Sequence, residues 1–248
     1  IRQAKKDVEE RLFHAQTDAE KDDLRLKRTH LCAEEDSEET KVRKSMAAAL
    51  APMVDDLLAD ADAAGSLDFI LQKALFAVRY GGVRPELTDR ELELTDMVNP
   101  EICDLLAEQG RHFVPVSITL TPGATVITGA NMGGKSVAMK TVALNVLLLQ
   151  AGFLVCAQKA RMPLFHSVKM LFDDLQSIQS GLSGFGSEIV HFEKALAEVE
   201  QGYSLFLLDE FARGTNPDEG ALIVQAVTRY LNGVNAISLL TTHYDPAT

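Results

Sequence analysis

Gly129, Gly134, Lys135 and Ser136 follow the spacing G-x-x-x-x-G-K-S. Glycines at both ends let the backbone curl closely, so that the N–H groups of residues 131–136 can turn toward one phosphate chain. The lysine adds positive charge for the outer phosphates, and the serine hydroxyl suits magnesium. The expected nucleotide-binding stretch runs from Gly129 through Asn131, Met132, Gly133, Gly134, Lys135 and Ser136 to Val137.

Other residues complete such chemistry. "YSLFLLDE" (203–210) is an apolar run that ends in two carboxylates. A buried parallel strand delivers its C-terminal end to the ligand edge of the sheet. Asp209 is then placed to serve magnesium, and Glu210 to orient and deprotonate an attacking water. "AISLLTTH" (236–243) ends a second apolar run in His243, a candidate sensor of the γ-phosphate. Gln176, in the polar stretch after "VKMLF", is a candidate to reach the metal and the water. "GLSGFGSE" (181–188) joins flexible glycines to a new helix, with Ser183 and Ser187 as candidate caps. A helix start attracts anions, so this is a second phosphate-binding element. One nucleotide rarely needs two such loops from one chain, which suggests that Ser183 serves a neighbour's nucleotide.

The elements that must position these groups change character along the chain. Residues 1 to about 63 read as helix, with Val8, Leu12, Ala15 and Ala19 forming one apolar seam on a charged rod. The acidic run "EEDSEE" (34–39) reads as a solvated turn or helix face. A second helix covers roughly 40–63, with a kink or break at Pro52. Gly65-Ser66 punctuates it, 67–80 forms a third helix, and Gly81-Gly82 ends that one. After about residue 97, β-type runs at 124–129, 153–157, 168–172, 203–210 and 236–243 alternate with helical stretches near 135–150, 188–201 and 218–231. That alternation predicts an α/β domain with a mostly parallel sheet covered on both faces. Val126, Ile127, Leu205, Phe206, Leu207, Leu239 and Leu240 are its expected buried strand residues. The glycine loop follows one strand and opens a helix, which is the context a phosphate loop requires.

Composition narrows the class. The 248 residues are 46% hydrophobic, ample for a core, so global disorder is excluded. No apolar run is long enough to cross a bilayer, since Val142 to Val155 is interrupted by Asn145, Gln150 and Gly152. No signal peptide is visible, and Ile1 in place of Met suggests a fragment or a disordered start. Cys32, Cys103 and Cys156 fit neither a disulfide framework nor a zinc pattern, and read as reduced thiols of a cytoplasmic protein. The net charge is −12, and residues 1–100 hold 15 basic against 22 acidic groups. A nucleic-acid binder usually carries a basic patch, and none stands out here.

In order and spacing, these residues resemble the MutS family, a branch of the ABC-type ATPases. "TGANMGGKS" resembles T-G-P-N-M-G-G-K-S, and "LLDEFARGTNPDEG" resembles L-x-D-E-x-x-R-G-T-x-x-x-D-G. "TTHY" resembles the family's terminal T-H-Y, and "GLSGFGSE" stands where its S-T-F signature loop lies. "RHFVPVSITL" resembles the segment whose aromatic stacks on adenine, which points to Phe113. The likeness extends from about residue 66 to 244.

The resemblance implies a three-layer P-loop NTPase domain of the ABC type over 97–248, preceded by a helical lever or arm over 1–96. It implies ATP and Mg2+ as cofactors and hydrolysis to ADP and phosphate. It also implies a dimer, with itself or with a related MutS-like subunit, in which Ser183 faces the nucleotide held at Lys135 of the partner. The family role is DNA mismatch repair. Ala130 replaces the loop proline, Gly184 the signature threonine, and Asn216-Pro217 the usual Ser-Thr. No F-x-E wedge of a mismatch reader is present, and the chain is short for the mismatch-reading domains. A second expectation is therefore an ATP-dependent chaperone that reactivates a client enzyme, a cobalamin-dependent amino acid mutase, without binding DNA.

Overall fold

Leu205 and Leu207 project to one face of a strand, Phe206 and Leu208 to the other, and all four are fully buried. A strand apolar on both faces needs cover on both, and each side chain buried this way contributes about 1.5–3 kcal/mol. In the computed structural model, which describes residues 1–129, 133–172 and 184–244, this strand is β7 (Ser204–Leu208). It pairs in parallel with β8 (Ala236–Thr242) and with β6 (Ser167–Leu171). On its far side β8 pairs in parallel with β4 (Gly123–Thr128), giving the order β4-β8-β7-β6.

Cover comes from opposite directions. Met139, Val142 and Val146 of α5 (Lys135–Gln150) pack with Leu205, Leu207, Ile237 and Leu239. Phe192 and Val199 of α6 (Gly184–Val199), with Val224 and Leu231 of α7 (Pro217–Leu231), pack with Phe206, Leu208 and Leu240. The α5 side also receives Leu92, Leu94 and Leu120 from a second sheet. That sheet has the order β1-β5-β2-β3, from β1 (Glu86–Leu87), β5 (Lys159–Met162), β2 (Leu92–Met97) and β3 (Val116–Leu120). Its β1–β5 pair is parallel and its other pairs antiparallel. Between β2 and β3 lies α4 (Pro100–Glu108), capped by the Asn99 side chain.

The chain divides into two compact units, Ile1–Phe69 and Ile70–Thr248. In the first, α1 (Arg2–His14) and α2 (Asp18–Leu50) form an antiparallel hairpin. Arg2 meets Glu35 and Glu39, and Arg28 meets Glu9. Thr17 caps α2 by accepting from the Glu20 N–H at 3.3 Å. A 3-10 turn at Ala51–Met53 leads to α3 (Val54–Tyr80), which crosses the boundary between the units. Gly81, at φ 65°, ends α3, and the Gly82 N–H returns to the Ala77 carbonyl, a glycine C-cap.

The α/β class, the parallel sheet and the helical start agree with the sequence, and several details do not. The single rod breaks at Ala15–Thr17, where the Thr17 cap starts a new helix and leaves Ala19 exposed. The acidic run is a face of α2 rather than a turn. Gly65-Ser66 does not interrupt α3, because one glycine costs a helix only about 1 kcal/mol. Residues 153–157 form no strand, and only Val155 bridges to Val83 before β5 begins at Lys159. Val126 and Ile127 are half-buried, since β4 is an edge strand. α6 starts at Gly184, so Ser187 lies within the helix and does not cap it.

Candidate functional site

Three parallel strands deliver their C-terminal ends side by side. The register pairs Thr128 of β4 with Thr242 of β8, and Leu208 of β7 with Leu240 of β8. The residues that follow, Gly129, His243 and Asp209, therefore leave the sheet at one edge. The chain passes from Gly129 (φ 144°) to Gly133 and Gly134 (φ 82°), and Gly134 is the N-cap of α5. Left-handed backbone at Gly134 is the conformation glycine adopts without a Cβ clash. α5 thus opens with the positive end of its dipole at this edge.

The side chains converge there. Lys135 is 7% exposed, and its ammonium donates to the Gly129 carbonyl at 2.7 Å. Ser136 Oγ donates to Asp209 Oδ1 at 2.8 Å. Thr241 Oγ1 donates to the same oxygen at 2.6 Å and accepts from the Glu210 N–H at 2.9 Å. One carboxylate oxygen thus gathers hydroxyls from α5 and β8. The set fits magnesium, a hard cation that takes one or two protein oxygens and completes its shell with water and phosphate.

The loop after β7 is strained. Glu210 has φ 50° and Ala212 φ 65°, each a left-handed non-glycine residue costing on the order of 1 kcal/mol. Glu210 Oε2 accepts from Arg213 Nη1 at 2.8 Å. The Ala212 N–H donates to Glu188 Oε1, and the Ala212 carbonyl accepts from the Tyr244 hydroxyl, both at 3.0 Å. Burial, and secondly the Glu188 charge, raises the Tyr244 pKa above its usual value.

The sequence-predicted residues are distributed as follows. Gly129, Gly133, Gly134, Lys135, Ser136, Asp209, Glu210 and His243 gather at this edge, with His243 exposed and its ring 4.1 Å from that of Tyr244. Val137 lies in the first turn of α5, where its carbonyl accepts from Thr141 Oγ1. Phe113 is half-buried in the connection from α4 to β3, and among the described residues no ring contact ties it to the loop. Asn131, Met132, Gln176 and Ser183 lie outside the described residues. Sequence reasoning missed Thr241, Glu188, Ala212, Arg213 and Tyr244. The first threonine of "TTHY" and the glutamate closing "GLSGFGSE" were the available signals. Cys156 takes no part, because burial pushes its thiol up to about 11 and keeps it protonated.

Comparison with known proteins adds a family context. MutS domain V matches residues 125–248. The chain is 32% identical over 220 residues to Endonuclease MutS2 of Acetivibrio thermocellus, covering 85% of this chain and 26% of that protein. It is 35% identical over 229 residues to Endonuclease MutS2 of Thermomicrobium roseum, covering 86% and 28%. With the protein of that name from Streptococcus agalactiae it shares 35% over 218 residues, covering 87% and 27%. The chain thus spans about a quarter of the length of these relatives. The comparisons lend no support to the mutase-reactivating alternative.

Proposed function

The chain belongs to the MutS family through its domain V, and we propose that residues 97–248 bind and hydrolyse Mg2+·ATP in a P-loop NTPase domain of the ABC type. Within residues 1–96, helices α1 to α3 serve as its lever, while β1 and β2 join the second sheet. The single observation that carries this reading is the meeting of Ser136 and Thr241 on Asp209 Oδ1 at the start of α5. A hydroxyl and a carboxylate side by side at a helix N-terminus match what a phosphate-bound magnesium requires.

The roles follow from position. Backbone N–H groups of 131–136 hold the phosphates and Lys135 neutralises their charge. Ser136 and Asp209 serve the metal. Glu210 takes the proton of the attacking water as the oxygen–phosphorus bond forms and ADP leaves. His243 and Gln176 sense the γ-phosphate and the water, and Phe113 stacks on adenine. Phosphoryl transfer depends mainly on such positioning and charge stabilisation. Titration with a fluorescent ATP analogue, with and without Mg2+, tests the reading. Wild-type affinity should rise with Mg2+, and Asp209→Asn should lose that rise. Equal Mg2+ dependence in both proteins would refute it.

Assembly and target extend the same reading. Ser183 of one copy faces the nucleotide of another, so ATP favours a homodimer, or a heterodimer with a related MutS-like subunit, and hydrolysis loosens it. The relatives are named endonucleases, which favours DNA as the target in a cytoplasmic, repair-related role. With a net charge of −12, the DNA contact must come from a local basic patch, and its affinity should fall steeply with salt.

A further inference from the structure

Both polar backbone groups of Ala212 are held by side chains from elsewhere in the fold. Its N–H goes to Glu188 on α6, and its carbonyl to Tyr244 just past β8. Ala212 is fully buried and left-handed, a conformation its own side chain does not favour. Such a residue persists only where its surroundings over-determine it.

The surroundings are shaped for this grip. Gly220, in the first turn of α7, leaves the space that the Tyr244 ring and hydroxyl fill, and a Cβ there would overlap them. Gly214 brings the loop against α6, where an added Cβ would stand 3.3 Å from the Phe185 nitrogen. Burial and the facing Glu188 carboxylate keep the Tyr244 hydroxyl protonated, so it remains a donor. Glu210, two residues before Ala212, is left-handed as well, with its N–H on Thr241 Oγ1. The backbone is therefore pinned at Glu210 by Thr241 and at Ala212 by Glu188 and Tyr244. Two fixed points so close together set the direction in which the Glu210 side chain leaves the loop.

We infer that Glu188 and Tyr244 are positioning residues for the hydrolytic step, clamping Ala212 so that the Glu210 carboxylate keeps its aim. This rests on the ATPase reading above. A clamp of this kind acts on the rate of the chemical step and not on nucleotide affinity, since neither side chain belongs to the phosphate loop.

The test uses the full chain as wild type, Glu188→Ala, Glu188→Gln, Tyr244→Phe and the double variant Glu188→Ala/Ala212→Gly. Three quantities are measured: Mg2+-dependent ATP turnover, the dissociation constant of a fluorescent ATP analogue, and the thermal midpoint. Glu188→Ala and Tyr244→Phe should lower kcat on the order of 10- to 100-fold, the scale of a small misplacement of a catalytic group, with the dissociation constant within about twofold. Glu188→Gln should restore most of the rate lost in Glu188→Ala, because the amide oxygen still accepts the Ala212 N–H. Glycine relaxes the left-handed backbone but restores no aim, so the double variant should regain the thermal midpoint and not the rate. A wild-type chain without turnover sinks the ATPase reading and this inference with it. An active wild type with an unchanged kcat in Glu188→Ala overturns the clamp alone. So does a double variant that recovers rate and midpoint together.

Discussion

Every residue of β7 and β8 is buried, whereas the 33 residues of α2 bury only Leu24. The two strands are fixed by side chains on both faces and by neighbours on both edges. The α1–α2 hairpin is fixed by a thin apolar seam and by ion pairs at its surface, among them Lys5–Glu35 at 2.8 Å and Arg28–Glu9 at 2.8 Å. The exposed pairs, such as Arg28–Glu9, contribute little and weaken with salt, and the half-buried Lys5–Glu35 is less screened. The difference teaches where this chain can carry chemistry. Asp209 and Glu210 leave a strand whose position is fixed on both faces and both edges. The hairpin keeps its shape by local helix propensity and charge pairing, and among the described residues its exposed faces present no gathered functional groups of the kind found at the edge of β7 and β8.

The comparison breaks most severely at the phosphate loop. Lys135→Ala removes a nearly buried cation from the mouth of α5, and nucleotide affinity should fall by about 100-fold or more, as for loss of a charge-assisted contact worth about 3 kcal/mol. Equilibrium titration with a fluorescent ATP analogue measures this directly. A hairpin substitution such as Lys41→Ala should leave the same titration unchanged.

A second cut compares leucines. Leu207 is fully buried in β7, and Leu207→Ala should destabilise the fold by about 2–5 kcal/mol, the range for a large-to-small core change. Leu58 on α3 is 60% exposed, and Leu58→Ala should cost under about 0.5 kcal/mol. Urea denaturation midpoints check both. Equal shifts would mean that the two regions are not built differently.

The smallest effect is expected from acid. Hydrogen bonds from Lys5, and then from Arg2, hold the Glu35 carboxyl below its ordinary range. A lowered folded-state value means that its contribution is present above the unfolded value, about 4.3, and is lost as pH falls through the folded one. Amide-exchange protection in α1, corrected for intrinsic rates, should therefore decline modestly below about pH 4. Glu35→Gln should abolish that pH step without touching β7 or β8.

How legible these regions were follows from the same contrast. β4, β6, β7 and β8 appear within about two residues of where the apolar runs place them, and β7 and β8, buried along their whole length, leave the most continuous hydrophobic signature. The glycine-lysine-serine run could be read from its spacing, and Asp209 and Glu210 from their place at the end of an apolar run. β2, α4 and β3 were not legible: "LELTDM" and "VSITL" are short, half-polar strands whose partners lie far along the chain. "FLVCA" is apolar for another reason. Val155 and Ala157 pack into the core without a sheet ladder, and the Cys156 N–H donates to Asn145 Oδ1. Thr241, Glu188 and Tyr244 were hidden because their roles exist only in tertiary contacts, across 32 residues for Thr241–Asp209 and 24 for Glu188–Ala212.

The central claim is that the edge of β7 and β8 hydrolyses ATP through Glu210, and single-turnover phosphate release by Glu210→Gln tests it most directly. Glutamine keeps the size and most of the hydrogen bonding of glutamate but cannot take a proton from water. With Mg2+ and ATP, the variant should bind nucleotide as tightly as wild type and release phosphate at least about 100-fold more slowly, as for loss of a general base. Phosphate release at the wild-type rate would contradict the account.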